Sequence, residues 1–418
     1  MTADERQRSY IQNIDLVVEL DAYSSENCTK VETKIDQLRN NHTFSLTLQV
    51  LFNNVASWPP RRIGIALRIQ AQSPTDWGSH LEQGRRLEVE RYGVDLQAGR
   101  YNRSFLEIID DFNTNCMEVP AIGTLIVEEL SSDTYRLIEP RATMIIASKV
   151  PYLKNMKLYL DDMERWDHPM APFSGSNIEK RLKNRYSFAK SFALWPHRSL
   201  RSLYLRFKSE APEDDSATPR DLRIDGKDTF SDYLRLYSQN LTRLDLVDVV
   251  IGPAIFRAPP PPTAYTHPEI PEWVNMTHFR VDYTSVTSDG RWWYTIDPND
   301  TFLREQGPIT EYRPNNAFRS KVDEYLLNDL YLAAGKAAMC MPDLQVLHLE
   351  SQSRLGWHSF RFEVSEWQAR ATWSDMLGFI PSAEVQKLWK EVGKAFMVPY
   401  TMTLTKERWG DDIQELPG

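Results

Sequence analysis

Leu344-Gln-Val-Leu-His-Leu349 is the stretch that decides the fold: its apolar residues stand at i, i+3 and i+5. The same phrase recurs as Leu200-Arg-Ser-Leu-Tyr-Leu205 and Leu241-Thr-Arg-Leu-Asp-Leu246. Looser copies are Ile11, Ile14, Leu16; Leu153, Met156, Leu158; and Met276, Phe279, Val281. The last two apolar residues of each phrase alternate with a polar one, as in a half-buried strand. The first sits just ahead of the strand and packs under the turn. With helical patterns between the copies, the expected fold is α/β, an irregular leucine-rich-repeat-like solenoid of stacked helix–strand units. The second apolar positions, 156, 203, 244, 279 and 347, are 47, 41, 35 and 68 residues apart. Regular leucine-rich repeats are about 20–29 residues long, so this array carries long helices and insertions.

Working outward, Ile14 to Val18 and Ile63 to Ile69 alternate as strands. Val31, Ile35 and Leu38 share one helical face, and a second helix is predicted from Phe44 to Trp58, stopped by Pro59-Pro60. Residues 72–118 read mostly as loop, with a short strand near Leu87 to Tyr92. Ile122 to Val127 is a strand, Pro140 opens a helix running to Lys149, and helices follow at Ile178 to Leu194, Phe230 to Gln239 and Ala317 to Met339. Phe360, Phe362, Val364 and then Ala369, Ala371, Trp373 alternate as a β-hairpin. A final helix, Ser382 to Phe396, presents Val385, Leu388, Trp389, Val392 and Phe396. The hairpin and this helix are expected to cap the open end of the stack. The predicted organisation is a solenoid over 1–380 ending in the hairpin, and a capping helix with its tail over 381–418.

The 418 residues carry a formal net charge of −9, with 41% hydrophobic and 26% charged residues. That composition fits a folded chain rather than a disordered one. The acidic balance argues against nucleic acid as a partner, because neutralising phosphates needs a basic face. Cys28, Cys116 and Cys340 are far apart and form no CxxC pair, which fits a reducing, intracellular setting. The start is polar, without the apolar core of a secretion signal, and no apolar run reaches membrane-spanning length. The Asn-x-Ser/Thr triplets at Asn27, Asn41, Asn102, Asn240, Asn275 and Asn299 therefore read as chance sequons.

No enzyme motif is present. The eight histidines are scattered, without HExxH or a cysteine at metal-ligand spacing, and no GxSxG, GxxxxGK[ST] or GxGxxG occurs. Neither cofactor nor metal is expected, and the chain is not expected to be an enzyme. Asp161-Asp162 and Asp214-Asp215 read as solvated loop charges, and Cys340 as a buried structural thiol. Pro259 to Pro262 reads as a stiff spacer or, in the alternative, a polyproline ligand. Trp292-Trp293-Tyr294 is read as packing of a long loop, with a stacking platform for a sugar or base as the alternative. On that alternative, the aromatic insert at 290–314 makes the chain an enzyme or carbohydrate binder.

The run Tyr331-Leu-Ala-Ala-Gly-Lys-Ala-Ala-Met-Cys-Met-Pro-Asp-Leu-Gln-Val-Leu-His-Leu349 resembles a segment of a large family of fungal F-box proteins. There an Ala-rich helix, a Met-Pro break and a strand recur near the C-terminus. Ser359 to Val364 and Ala371-Thr-Trp373 resemble that family's terminal hairpin. Ile14 to Leu20 and Val55-Ala-Ser-Trp58 resemble the segment following its F-box. The F-box is the helical module that docks a Skp-type adaptor of a cullin ubiquitin ligase, and it usually opens with Leu-Pro-x-Glu. This chain lacks that phrase near its start, so the adaptor-binding role carries over to no residue here. What the resemblance implies is the substrate-recognising part. A Skp-type adaptor is expected only if an F-box lies upstream.

The functional surface expected from the spacing is the ladder of polar residues between the last two apolar ones. It comprises Asp15, Lys157, Tyr204, Asp245, Arg280 and His348, flanked by Ser202, Arg206, Arg243, Asp282 and Glu350. Mixed charge with an aromatic suits a protein or peptide partner; a merely solvated sheet face is the alternative.

Overall fold

The computed structural model describes residues 8, 10–24, 27, 30–77, 104–128, 136–163, 178–212, 214–257, 273–296, 318–376 and 378–406. The chain divides into two compact units, Met1–Lys208 and Ser209–Gly418. The segment after 380 lies inside the second.

The first unit runs β1 (Asn13–Glu19), α1 (Lys34–Val55), β2 (Ile65–Gln72), β3 (Phe105–Leu106), α2 (Asp111–Asn115), β4 (Ile122–Val127), β5 (Leu137–Ile138), α3 (Pro140–Ser148), β6 (Asn155–Asp161), α4 (Ile178–Leu194) and β7 (Ser202–Lys208). Its main sheet has the order β1-β2-β4-β6-β7 and is parallel throughout. Parallel neighbours need a crossover, and the helices supply it. β3 and β5 form a separate small parallel pair. Leu67, Ile69, Leu125, Met156, Leu158, Leu203 and Leu205 are all fully buried. They stand on the face where α4 packs: Phe188 meets the ring of Phe207 edge-on at 5.5 Å.

Two corrections arise here. Residues 34–55 form one helix, not two. Thr33 caps it through a reciprocal box with Asp36. The weak helix formers Asn40 and Asn41 do not break it, because their buried side chains have partners: Asn40 donates to Glu32, and Asn41 accepts from Glu107 N–H at 3.0 Å. Ile35 and Leu38, read as one face of a separate helix, are exposed. Second, Asp161 and Asp162 are buried rather than solvated. Asp162 is held by Arg181 at 3.2 Å and Arg185 at 2.7 Å, two arginines one turn apart on α4. At the start of β2 and β4, Gly64 and Gly123 approach so closely that a Cβ on Gly64 would lie 2.3 Å from Gly123 N.

The second unit runs α5 (Thr229–Ser238), β8 (Arg243–Val249), a 3-10 turn (Pro253–Ile255), β9 (His278–Tyr283), β10 (Tyr294–Ile296), β11 (Arg319–Val322), α6 (Glu324–Ala338), β12 (Val346–Gln352), β13 (Trp357–Val364), β14 (Ala369–Asp375), α7 (Ala383–Ala395) and β15 (Tyr400–Lys406). Its sheet order is β8-β9-β12-β13-β14-β15. β8, β9 and β12 are mutually parallel, β13 is antiparallel to both neighbours, and β15 returns parallel to β14. The helices again take one face. Tyr331 of α6 lies 5.0 Å from Phe360, and Trp389 of α7 lies 4.5 Å from Phe360 and 5.1 Å from Phe362.

Here too the structure departs from the sequence reading. The helix expected from Ala317 starts at Glu324, because Asp323 caps it by accepting from Leu326 N–H at 3.0 Å. The residues before it pair with β10 instead, so Val322 belongs to a strand. The hairpin β13–β14 does not close the array. It continues the sheet, α7 lies on the helix-covered face, and the unexpected strand β15 follows. Asp215, expected to be a solvated charge, is buried and accepts from Phe318 N–H at 2.7 Å and Arg319 N–H at 2.8 Å. Trp292, Trp293 and Tyr294 are core residues; Trp292 Nε1 donates to the Ala217 carbonyl at 3.1 Å and Tyr294 Oη to the Ser351 carbonyl at 2.8 Å. The strand expected at 87–92 and the tetraproline lie outside the described residues, as does most of the aromatic insert.

Candidate functional site

The strands are amphipathic across the sheet: one face meets helices, the other carries the polar residues of the repeated phrase. In the first unit, strand register aligns Asp15, Arg68, Ile126, Lys157 and Tyr204 in a single row. Three of these were expected; Arg68 and Ile126 join them. Arg68 Nε lies 3.2 Å from Asp15 Oδ1, and its Nη1 pairs with Glu128. Lys157 is exposed, and Tyr204 is half-buried with its ring 5.2 Å from Tyr159. Beside the row, Gln70 Nε2 donates to Glu128 Oε1 at 3.3 Å.

In the second unit, the row is Asp245, Arg280, His348, Arg361, Thr372 and Thr403. The first three were expected, and the last three come from strands that lack the phrase. Arg280 is exposed, and its Nη2 lies 3.6 Å from Glu350. Glu350 also lies 3.6 Å from His348 Nε2 and accepts from Trp357 Nε1 at 3.2 Å. Arg361 pairs with Glu363 at 2.6 Å. Asp245 corrects the expectation of an exposed ladder. It is largely buried and paired with Arg243, Nε to Oδ2 2.6 Å and Nη2 to Oδ1 3.2 Å. This pairing raises the Arg243 pKa. Burial lowers the His348 pKa below the usual imidazole value, and Arg280 and Arg361 reinforce it against Glu350 and Glu363. His348 is thus a neutral donor–acceptor at pH 7, set between two arginines.

Ion pairs this exposed contribute little to stability. Their side chains can re-aim toward a partner at small cost. The rows therefore offer charged groups, with a phenol in the first unit and imidazole and hydroxyl groups in the second, on a fixed strand spacing of about 4.8 Å.

A second polar cluster lies on the helix-covered side. His358 stands between Asp375, whose Oδ2 is 3.3 Å from Nδ1, and Tyr331, whose Oη bonds Nε2. Nδ1–H donating to Asp375 while Nε2 accepts from Tyr331 satisfies all three groups. Phe379 N–H donates to the other Asp375 oxygen at 3.1 Å. All three side chains are at most 5% exposed, so the cluster is a satisfied core network rather than a reaction centre. Cys116 is buried, and burial outweighs Lys149 to push its thiol up to about 11. Cys340 is half-buried and directs its thiol to the Lys336 carbonyl at 3.7 Å. Among the described residues, no group of three or more His, Cys, Asp or Glu is placed to hold a metal. No described helix is long and apolar enough to cross a membrane.

Residues 315–415 match a family of unknown function (DUF6546). This stretch takes in β11 to β15 and the residues from 331 to 373 that carry the F-box-family resemblance. No curated protein and no solved structure matches the chain.

Proposed function

We propose that the chain is a non-enzymatic, protein-binding α/β stack of irregular leucine-rich-repeat-like units, acting as the substrate-recognising part of an F-box-type protein. The observation carrying this reading is the register. It gathers polar residues from successive strands into one row per unit, on the face that the helices leave to solvent. A row of this kind is how stacked-strand proteins present an extended binding surface. The F-box association rests on the sequence resemblance, and a Skp-type adaptor is a partner only of a form carrying that module. No nucleic acid or membrane partner is proposed, and the place of action is intracellular.

The test is affinity capture with quantitative mass spectrometry, using the wild-type chain and the variants Arg68→Glu with Lys157→Glu and Arg280→Glu with Arg361→Glu. The reading predicts a protein captured by the wild type and lost with at least one pair of reversals. A capture profile unchanged by both pairs would sink it. Measurable hydrolysis or transfer activity abolished by a row substitution would assign the surface to catalysis instead.

A further inference from the structure

The last strand, β15, pairs with β14 along one side, and its other side meets no strand among the described residues. One bond fixes where its backbone groups point: Ala369 N–H donates to the Pro399 carbonyl at 2.8 Å. In a parallel ladder this phase directs the N–H and C=O of Thr401, Thr403 and Thr405 at β14. Tyr400, Met402, Leu404 and Lys406 therefore point theirs away, at the open edge. Natural sheets blunt such an edge with charge, proline or a bulge. β15 carries no proline, its register against β14 is unbroken, and its one charge is the terminal Lys406. The first unit's β1, by contrast, carries Asp15 and Glu19.

The strand is also its own complement. Turned end for end about Thr403, Tyr400-Thr-Met-Thr-Leu-Thr-Lys406 places Met402 opposite Leu404, Thr401 opposite Thr405, Thr403 opposite itself and Tyr400 opposite Lys406. No like charges meet. Antiparallel pairing about that centre makes 402 with 404, and 400 with 406, the hydrogen-bonded pairs. Those are the residues whose backbone groups face the edge. Side-chain matching and hydrogen-bond phase thus select the same centre, whereas a shift of one residue would satisfy neither. Met402 and Leu404 are only half-buried, and they stand beside Ala371 and Trp373 on the helix-covered face. A second copy would cover their remaining apolar surface.

We propose that β15 is the interface of a symmetric homodimer, two copies joining edge to edge by antiparallel pairing centred on Thr403. About eight main-chain hydrogen bonds would form, with Met402–Leu404 contacts on one face and a threonine ladder on the other. The two-fold axis passes through Thr403, making the contact isologous.

Sedimentation velocity on the full chain tests this, up to about 100 μM. The wild type should sediment at twice the chain mass. Thr403→Lys and Thr403→Glu, each placing like charges face to face, should each sediment as single chains. Their equimolar mixture should restore the dimer. Leu404→Pro should also give single chains, because it removes an N–H that faces the open edge and none that bonds β14; an unchanged circular dichroism spectrum confirms its fold. A wild type that stays single at the top concentration overturns the proposal, leaving the edge to a strand from another protein. So does a dimer that survives both Thr403→Lys and Leu404→Pro, or a Lys/Glu mixture that remains single. Thr403 ends the second unit's polar row, but the readout is chain mass and not partner binding, and Leu404→Pro tests the same edge from outside that row.

Discussion

Trp389 should be the anchor that holds α7 to the sheet of the second unit. Its indole is fully buried, stacked 4.5 Å from Phe360 and 5.1 Å from Phe362, and Nε1 donates to the Tyr331 carbonyl at 3.2 Å. An indole buries roughly 200 Å² of surface, which at about 25 cal/mol per Å² gives an upper bound of about 5 kcal/mol. Trp→Ala truncations in packed cores cost about 3–5 kcal/mol, so Trp389→Ala should cost about 4. Trp389→Phe keeps a ring against Phe360 and loses the N–H donor and some volume, so about 1–2 kcal/mol is expected. With a urea m-value of about 2 kcal/mol/M, the Ala variant should lower the midpoint by about 2 M. Because two units need not unfold together, peptide-level hydrogen exchange should accompany the melt. Protection should fall first in 383–406, the α7–β15 segment. A cost under about 1 kcal/mol for Ala, or equal costs for Ala and Phe, would refute the claim that aromatic stacking holds this helix.

Three further outcomes follow from buried groups. His197 Nε2 is buried with no partner among the described residues, and burial lowers its pKa from 6.5 to about 4. The unfolded chain then binds the proton more tightly. Stability is full above pH 6.5 and falls as pH drops toward 4, by at most about 3 kcal/mol; urea melts of His197→Gln should lack this part of the acid loss. Gly64→Ala would drive a Cβ against the Gly123 backbone at 2.3 Å, forcing β2 from β4. A loss of about 3 kcal/mol or more is expected, read as a lowered thermal midpoint. Cys116, with its thiol pushed up to about 11, should resist iodoacetamide at pH 8 in the folded chain and react in urea, as peptide mass spectrometry would show.

The repeated phrase made β6 to β9 and β12 legible because its period is local: each strand announces itself within six residues. The row was half legible for the same reason. Asp15, Lys157, Tyr204, Arg280 and His348 stand inside phrases, whereas Arg68 and Arg361 join only through strand pairing, which no local pattern encodes. Burial of charge was illegible in the same way. Asp162 is buried because Arg181 and Arg185 meet it, and those arginines come from a helix that looks solvent-facing when read alone. The single α1 was hidden by Asn40-Asn41, which break a helix unless Glu32 and Glu107 bind their side chains. β15 did carry a signal. Thr401, Thr403 and Thr405 alternate with Met402 and Leu404, a strand pattern that Pro399 opens and no adjoining glycine or proline closes.

The most direct test of the binding account is a titration of a captured partner against the wild-type chain and Arg280→Glu with Arg361→Glu, both in the second unit's row. Those two side chains are on the solvent face and, among the described residues, pair with Glu350 and Glu363 on that face, so the double reversal should leave the fold intact. The account predicts a Kd weakened at least about tenfold, roughly 1.4 kcal/mol, with an unchanged melting curve. An unchanged Kd alongside an unchanged melt would contradict it.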